Sequence, residues 1–228
     1  MKISVITLFP QVFSPLLNTS ILDKAQKQGK LKVNLVDLRK FGMGKYQQVD
    51  DRVYGGGVGM ILRIEPIAKA LAKIRDRKSK TILLTPQGKN FNQKNALRLA
   101  KERHLVLICG KYEGVDERVR ELVDGEISIG DYVLSGGEIP AMVVIDSIAR
   151  LLPGVLEKEA TRFESFSTYT LGPKPHTLLE PPQYTRPENY EGMRVPKILL
   201  SGNHQEIAKW RSQEALKKTK KIRPDLLN

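Results

Sequence analysis

The sequence has little of several residue types, and each scarcity excludes a class of protein. Its 228 residues include one cysteine, Cys109, so a disulfide framework and a cysteine-rich zinc site are both excluded. The three histidines, His104, His176 and His204, do not have metal-ligand spacing. Apolar runs stay well short of the roughly 18 residues that a bilayer-spanning helix needs. We therefore expect a globular protein of the reducing cytoplasm, with no membrane partner.

Several catalytic motifs are also missing. The sequence has no Walker A phosphate loop, no H-E-x-x-H metal motif and no G-x-S-x-G nucleophile elbow. The glycine-rich run DDRVYGGGVGM, Asp50 to Met60, lacks the G-x-G-x-x-G spacing of a dinucleotide loop. Its four glycines would let a ligand or another backbone approach closely, and the alternative is a flexible surface loop.

Negative charge is scarce relative to positive charge. Lys and Arg number 38 against 25 Asp and Glu, which gives a formal net charge of +13 and a pI near 9.8. This excess favours a polyanionic partner, nucleic acid ahead of an anionic membrane surface. The alternative is a solvated surface that is basic without binding anything.

Hydrophobic patterning predicts an α/β fold. Short β-branched runs alternate with helix-like stretches through the first 150 residues, as in βαβ units with a mostly parallel sheet. The predicted strands are Ile3 to Leu8, Leu31 to Leu38, Thr81 to Leu84, His104 to Cys109 and Glu126 to Leu134, and the predicted helices are Ile64 to Ile74, Asn92 to Glu102 and Ser135 to Leu152. Residues 1–155 form the predicted α/β domain, 156–184 a proline-rich linker, and 185–228 a small basic helical domain.

Three glycine-bearing turns follow predicted strands. They are Thr85 to Gly88, Gly110 to Gly114 and Leu134 to Glu138. Ligands of open parallel sheets bind outside the carboxyl ends of the strands, so the three turns together predict a small-molecule pocket. Ordinary turn chemistry is the alternative for each turn taken alone.

Three charged residues stand out beyond these turns. Glu113 lies outside the helix-dipole pattern that explains its acidic neighbours. Arg150 ends a strongly apolar helix, where it either extends to solvent or faces an anion. Glu164 lies between Phe163 and Phe166, which suits a general base, and a solvated linker acid is the alternative.

The C-terminal region combines aromatic and basic side chains. Tyr184 and Trp210 interleave with arginines, and the last helix ends in KKTKKIR, Lys217 to Arg223. Aromatic rings stack on unpaired bases and arginines hold phosphates, so this pattern is typical of binding to looped RNA. A small hydrophobic core with a charged outer face is the alternative.

These motifs, taken in order, resemble one family over essentially the whole chain: the bacterial tRNA (guanine-37, N1)-methyltransferases, the TrmD family. The matching segments are ITLFP, VDDRVYGGGVGM, PQGKNFNQ, CGKYEGVDERV, SIGDYVLSGGE, RLLPGVL, QYTRP and LLSGNH.

The resemblance implies a SPOUT fold, in which part of the parallel sheet forms a deep trefoil knot. It also implies a homodimer with its active site between subunits and S-adenosylmethionine bound in the knot. The methyl group would pass to N1 of guanosine 37 in tRNAs that carry guanosine at position 36. The family is also reported to depend on magnesium, for which the sequence indicates no ligands.

The resemblance further implies roles for individual residues. Arg150 would help activate the guanine, and Glu113 and Asp50 would lie near the target base. For RNA binding we expect Tyr184, Arg186, Arg211, Lys217 and Lys218. The expected cofactor-binding residues are Thr85, Pro86, Gln87, Gly110, Tyr112, Glu113, Ile129, Gly130, Asp131, Tyr132, Val133, Leu134, Gly136 and Gly137.

One motif departs from the family pattern. The family has an aspartate as proposed base in a Glu-Asp-Ser-Phe sequence, whereas this chain reads Phe163-Glu164-Ser165-Phe166. The carboxylate is kept one methylene further from the backbone, so we expect Glu164 to be the base, with Glu180 as the alternative. Two other functions stay open: a catalytically silent RNA-binding protein of this fold, and a related methyltransferase with another RNA target.

Overall fold

The computed structural model describes residues 1–157, 161, 164–170 and 175–227. The chain divides into two compact units, Met1–Leu156 and Glu157–Asn228. Among the described residues, no helix combines the length and the apolar character that crossing a membrane would require.

The first unit is built on a parallel sheet of five strands in the order β2-β1-β6-β5-β7. These strands are β1 (Lys2–Thr7), β2 (Lys32–Asp37), β5 (Ser79–Asn90), β6 (His104–Cys109) and β7 (Gly125–Ser128), and a separate antiparallel pair is formed by β3 (Asp50–Asp51) and β4 (Ile61–Leu62). The predicted α/β class with a parallel sheet is confirmed.

Helices cover both faces of this sheet. They are α1 (Ser14–Leu17), α2 (Ser20–Lys27), α3 (Ile64–Ile74), α4 (Gln93–Leu99) and α5 (Glu138–Ala149), with 3-10 turns at Pro10–Phe13, Leu38–Phe41 and Glu117–Leu122. The central strand β6 is buried along its whole length. Leu105 and Leu107 belong to a core with α5, whereas Val106 and Ile108 belong to a core with α3 on the other face. The apolar runs without polar alternation thus reflect strands covered on both sides.

Two predicted boundaries near the carboxyl ends of the strands are wrong. The strand predicted for Glu126 to Leu134 stops at Ser128, whose hydroxyl accepts a hydrogen bond from the Gly130 amide at 3.2 Å, and Gly130 has φ +153°. The helix predicted from Ser135 begins at Glu138. Both differences place residues 129–137 in a single loop, where β-branched residues had suggested a strand.

In its described residues, the second unit has short strands and a long helix. Its elements are β8 (Ser167–Thr170), β9 (Pro175–Leu178), β10 (Asn189–Tyr190), β11 (Met193–Arg194) and α6 (His204–Ile222), with 3-10 turns at Lys197–Leu200 and Pro224–Leu227. Leu178 and Ala215 are buried, and the Leu179 amide donates to the Thr219 hydroxyl at 2.9 Å. Part of the predicted 156–184 linker therefore forms paired strands that pack on α6. Phe163, which stands beside Glu164 in the sequence, lies outside the described residues.

Candidate active site

A cavity of about 370 Å³ lies beside the middle of β5 and at the carboxyl ends of β6 and β7. Three loops form it, and they are the turns that the sequence analysis expected to meet there. Of the fourteen expected cofactor-binding residues, thirteen line this cavity, and Asp131 does not. The thirteen are Thr85, Pro86, Gln87, Gly110, Tyr112, Glu113, Ile129, Gly130, Tyr132, Val133, Leu134, Gly136 and Gly137.

The first loop results from an irregularity within β5 rather than from its end. Both Leu84 and Lys89 of this strand are paired with Ile127 of β7, so the four residues between them bulge out of the ladder. Gly88 makes the close return possible, because a Cβ atom there would lie 2.5 Å from the Ile127 nitrogen. Thr85, Pro86 and Gln87 are thereby held against the cavity.

The third loop runs from the edge strand β7 back across the end of β5 to β6. The Gly137 amide donates to the Gly110 carbonyl at 2.8 Å, and Gly136 forms a β-bridge with Lys111. A Cβ atom on Gly137 would lie 2.6 Å from the Cys109 Cα, so only glycine permits this approach. Two backbones therefore meet at the cavity with no side chain between them.

The second loop is joined to the glycine-rich run of the sequence. The Glu113 amide donates to the Met60 carbonyl at 3.1 Å. Gly59, with φ +90°, leaves the space that the Glu113 side chain fills, because a Cβ atom there would lie 2.6 Å from the Glu113 Cγ. Gly59 is therefore fitted to a carboxylate at the rim of the cavity, whereas a Cβ atom on Gly55 or Gly56 would meet nothing within 4 Å.

Tyr112 has a left-handed backbone with φ +59°, which a bulky residue rarely adopts. Desolvation and a hydrogen bond to Asp50 raise the pKa of its phenol, whereas Arg39 beside it lowers that pKa. Asp50 is therefore next to the cavity loop, although the two residues are far apart in sequence. Strained backbone of this kind is concentrated at functional sites.

Charged side chains surround one end of the cavity. Arg120 forms an ion pair with Glu117 at 2.9 Å and contacts Glu126 and Gln87. Sequence reasoning missed Arg120 and Glu117 as lining residues, although both follow Glu113 closely in the chain. Their proximity to Glu113 in sequence was the available signal.

Cys109, the last residue of β6 before the cavity loop, is an unsuitable nucleophile. Burial, and then the negative charge of Glu138, raise the pKa of its thiol well above the usual value. Glu138 is itself buried and accepts a hydrogen bond from the Thr7 hydroxyl at 2.7 Å. The arrangement keeps the thiol protonated and fixes the first turn of α5.

Arg150 is not among the residues that line the cavity. Gly137 and Pro140, at the start of α5, line it, whereas Arg150 caps the far end of that helix. A helix of twelve residues is about 18 Å long. Within one chain, the structure therefore separates Arg150 from the cavity by the length of α5.

The second unit has a groove of its own, of about 740 Å³. Both candidate bases, Glu164 and Glu180, line it together with Tyr184, Arg186 and Arg211. The two acids that the sequence analysis treated as alternatives are thus brought together with three of the five expected RNA-binding residues.

Lys217 and Lys218, the other two expected RNA-binding residues, are not among the groove's lining residues. Lys217 is exposed and pairs with Glu214 at 3.0 Å, whereas Lys218 donates to the Glu180 carbonyl at 3.2 Å. Lys218 therefore also contributes to the structure around Glu180.

The backbone is strained next to Glu164. Phe166 has φ +71°, in the left-handed region, and its amide donates to the Leu178 carbonyl at 2.8 Å. The Arg223 guanidinium lies 6.0 Å from the centre of the Phe166 ring. An aromatic residue in this conformation is a genuine outlier, and such outliers are concentrated at functional sites.

Comparison with known proteins agrees with these motifs. A model of the tRNA (guanine-1)-methyltransferase TrmD family matches residues 1–228. The chain belongs to this family. It is 53% identical over 227 residues to the tRNA (guanine-N(1)-)-methyltransferase of Mycoplasmopsis synoviae, with all of this chain and 97% of that protein covered. The proteins of the same name from Dictyoglomus turgidum and Geobacillus kaustophilus are 52% and 53% identical, again over this whole chain and over 90% and 92% of theirs.

Proposed function

We propose that this protein transfers a methyl group from S-adenosylmethionine to N1 of guanosine 37 in tRNAs that carry guanosine at position 36. The observation that carries the proposal is the convergence of thirteen motif residues on one cavity, in a chain of the TrmD family. The relatives named above are tRNA (guanine-N(1)-)-methyltransferases. We also propose that the protein is located in the cytoplasm, where tRNA is modified.

The cavity suits a ligand with a flat base and a charged amino-acid part. Its volume of about 370 Å³ falls in the usual range of small-molecule sites. Gly110, Gly136 and Gly137 line it with backbone that carries no side chain, and Ile129 and Leu134 offer apolar surface. Bound here, S-adenosylmethionine would supply an electrophilic methyl group on a sulfonium. The chain would orient it and keep water away.

Guanine N1 carries a proton at neutral pH and is a poor nucleophile until that proton leaves. Glu164 accepts this proton, as a general base must. Arg150 stabilises the negative charge that develops on O6. Asp50 and Glu113 hold the target base, and alignment of N1 with the methyl group supplies much of the rate acceleration.

We infer that the active site forms in a homodimer. The support is the separation of Arg150 from the cavity by the length of α5, which a second copy of the chain can overcome. Helix α5 also exposes Ile139 at 54% and Val143 at 38%, one turn apart, as a subunit interface would require.

We further infer a trefoil knot at the cavity and a tRNA-binding role for the helical second unit. The path of residues 129–137 supports the knot, because it leaves β7, crosses the end of β5 and bonds to Gly110 after β6. The described residues contain no cluster of three or more metal-ligating side chains, so no step is assigned to magnesium.

The test is single-turnover methylation by Glu164→Gln and by Glu180→Gln. The two substitutions are chemically identical and lie in one groove, so each is the control for the other. We expect Glu164→Gln to lower the rate at least 100-fold, since a general base contributes about 10²- to 10⁴-fold. Glu180→Gln should stay within about threefold of the parent. The opposite ranking would move the base to Glu180.

Mapping the methylated nucleoside in a treated tRNA pool tests the target. Methylation at another position would replace the proposed substrate by that of a different methyltransferase. Calorimetry with S-adenosylmethionine completes the experiment: tRNA binding without cofactor binding would favour a silent RNA-binding protein.

A further inference from the structure

The net charge of the chain is confined to two places. Residues 207–223 carry seven cations and one carboxylate. The second place, which we call the basic edge, comprises the first two residues of strands β2, β1, β6 and β5 and the residues up to four positions before each. The basic edge carries nine cations, and its carboxylates are Asp76 and Glu102. The rest of the chain has twenty-two cations and twenty-two carboxylates, so these two regions hold the whole excess of +13.

The sheet aligns the basic edge. Register places Lys2 opposite Lys32 and His104, and Ser79 opposite His104. Four neighbouring strands at about 4.8 Å spacing make this edge roughly 15 Å wide. The nine cations are Lys2, Lys30, Lys32, Arg75, Arg77, Lys78, Lys80, Lys101 and Arg103.

These cations are available to a partner. Seven are exposed, and Lys2 and Lys80 are half-buried. None of the nine forms an ion pair with a carboxylate in the part of the chain that the structure describes. The Arg75 guanidinium donates to the Leu122 carbonyl at 3.1 Å. The charged amino terminus also lies at this edge, where it donates to the Lys30 carbonyl at 2.8 Å.

The edge lies away from the cavity. Strand β6 of six residues rises about 3.3 Å per residue, so its amino end is roughly 17–20 Å from its carboxyl end at the cavity. Neither the cofactor nor the target base accounts for cations at this distance. A concentration of cations without carboxylate partners on one surface attracts a polyanion. The proposed substrate, tRNA, is a polyanion long enough to reach beyond the cavity.

We propose that the basic edge is a second RNA-binding surface, which holds the phosphate backbone of the tRNA substrate at a place remote from the methylated base. The proposal rests on the proposed function for the identity of the RNA. Phosphate contacts supply affinity and orientation without reading sequence. The edge therefore holds the body of the tRNA, while the cavity and the groove of the second unit serve the target loop.

The test compares two triple variants with the same change in net charge. The edge variant combines Arg77→Gln, Lys78→Gln and Arg103→Gln. The matched control combines Lys24→Gln, Lys69→Gln and Lys94→Gln, three exposed lysines on α2, α3 and α4 outside the edge. The dissociation constant of full-length unmethylated tRNA is measured over a series of salt concentrations, together with the affinity for S-adenosylmethionine.

We expect the edge variant to bind tRNA about 10-fold more weakly, with a salt slope reduced by about 0.7–0.9 for each phosphate that the variant no longer neutralises. The control should change affinity less than twofold, and cofactor affinity should be unchanged in both. Equal reductions of affinity in the two variants, or none in either, would overturn the proposal. The readout is binding, so it stays interpretable even if methylation maps to another nucleoside.

Discussion

At the scale of single residues, the cavity depends on side chains that are missing. Gly137 has ordinary backbone angles, φ −82° and ψ −1°, so conformational freedom is not its purpose. Its purpose is proximity, since any Cβ atom would press on the backbone of Cys109 and Gly110. Gly88 has the same relation to Ile127.

We predict that Gly137→Ala destabilises the fold by about 1–3 kcal/mol, the usual cost of overpacking. The melting temperature should fall by several degrees, and S-adenosylmethionine should bind at least about 10-fold more weakly, because the loop moves off β6. Calorimetry measures both quantities.

The control is Gly125→Ala in β7, where the nearest atom to an added Cβ is the flexible Ile82 Cδ1 at 3.6 Å. Its stability should change by no more than about 0.5 kcal/mol. Equal effects of the two substitutions would mean that alanine is tolerated equally at both positions. That result would contradict the claim that the close approach of the backbones requires glycine at position 137.

The role of a residue could be predicted where it belongs to a sequence motif. It could not be predicted where it depends on a contact between distant segments. Glu113 could be singled out from its segment, and the structure adds that Gly59 makes room for it. The proximity of Asp50 to Tyr112 depends on two contacts: β3 pairs with β4, and the β4 segment bonds to the loop that carries Glu113. No spacing in the sequence encodes that contact, because it joins segments about sixty residues apart.

At the scale of elements, periodicity predicted the regular parts well. Helix α3 and strand β6 have the predicted bounds, since each has a continuous apolar face that fixes its register. The C-terminal helix begins at His204, where the Asn203 side chain caps it by accepting from the Glu206 amide at 3.3 Å. The irregularity in β5 and the loop of residues 129–137 escaped prediction because they depend on pairing with other segments.

We predict that Lys217→Ala and Lys218→Ala on α6 each weaken tRNA binding without altering the affinity for S-adenosylmethionine. Lys217 is 77% exposed, so its removal should act through charge alone and lower the salt slope by about 0.7–0.9, the share of one phosphate. Lys218 also holds the Glu180 carbonyl, so its removal should additionally lower the melting temperature.

Titration of labelled tRNA at several salt concentrations measures this effect. Lys218→Arg keeps both the charge and a donor, and should restore most of the affinity. Unchanged tRNA affinity of Lys217→Ala at moderate salt would remove this end of α6 from the RNA-binding surface.

At the scale of the whole molecule, one chain divides its expected catalytic groups between separate places. Glu113 is at the cavity and Arg150 is at the other end of α5. In an isologous dimer two copies exchange the same surfaces, so each of two sites can be completed by the partner. The proposed homodimer therefore has a consequence that mixing experiments can measure.

We predict that Arg150→Ala and Glu113→Ala are each nearly inactive alone, and that refolded equal mixtures recover about a quarter of parental activity. Half of the dimers would then be mixed, and each mixed dimer would contain one intact site of two. The control mixes Glu113→Ala with Gly137→Ala, which damage the same cavity, and its activity should not exceed the mean of the two variants measured separately. Absence of recovery in the first mixture would argue that each chain builds its site alone.

The sequence by itself determined the family, the α/β class, the buried strands and the motif residues that line the cavity, because each is written in local order and spacing. Only the tertiary structure decided that β5 bulges, that residues 129–137 return to β6, and that nine cations form a basic edge. The physical reason is the same in each case. Backbone pairing and strand register bring together segments that are distant in the chain, and no local pattern specifies those contacts.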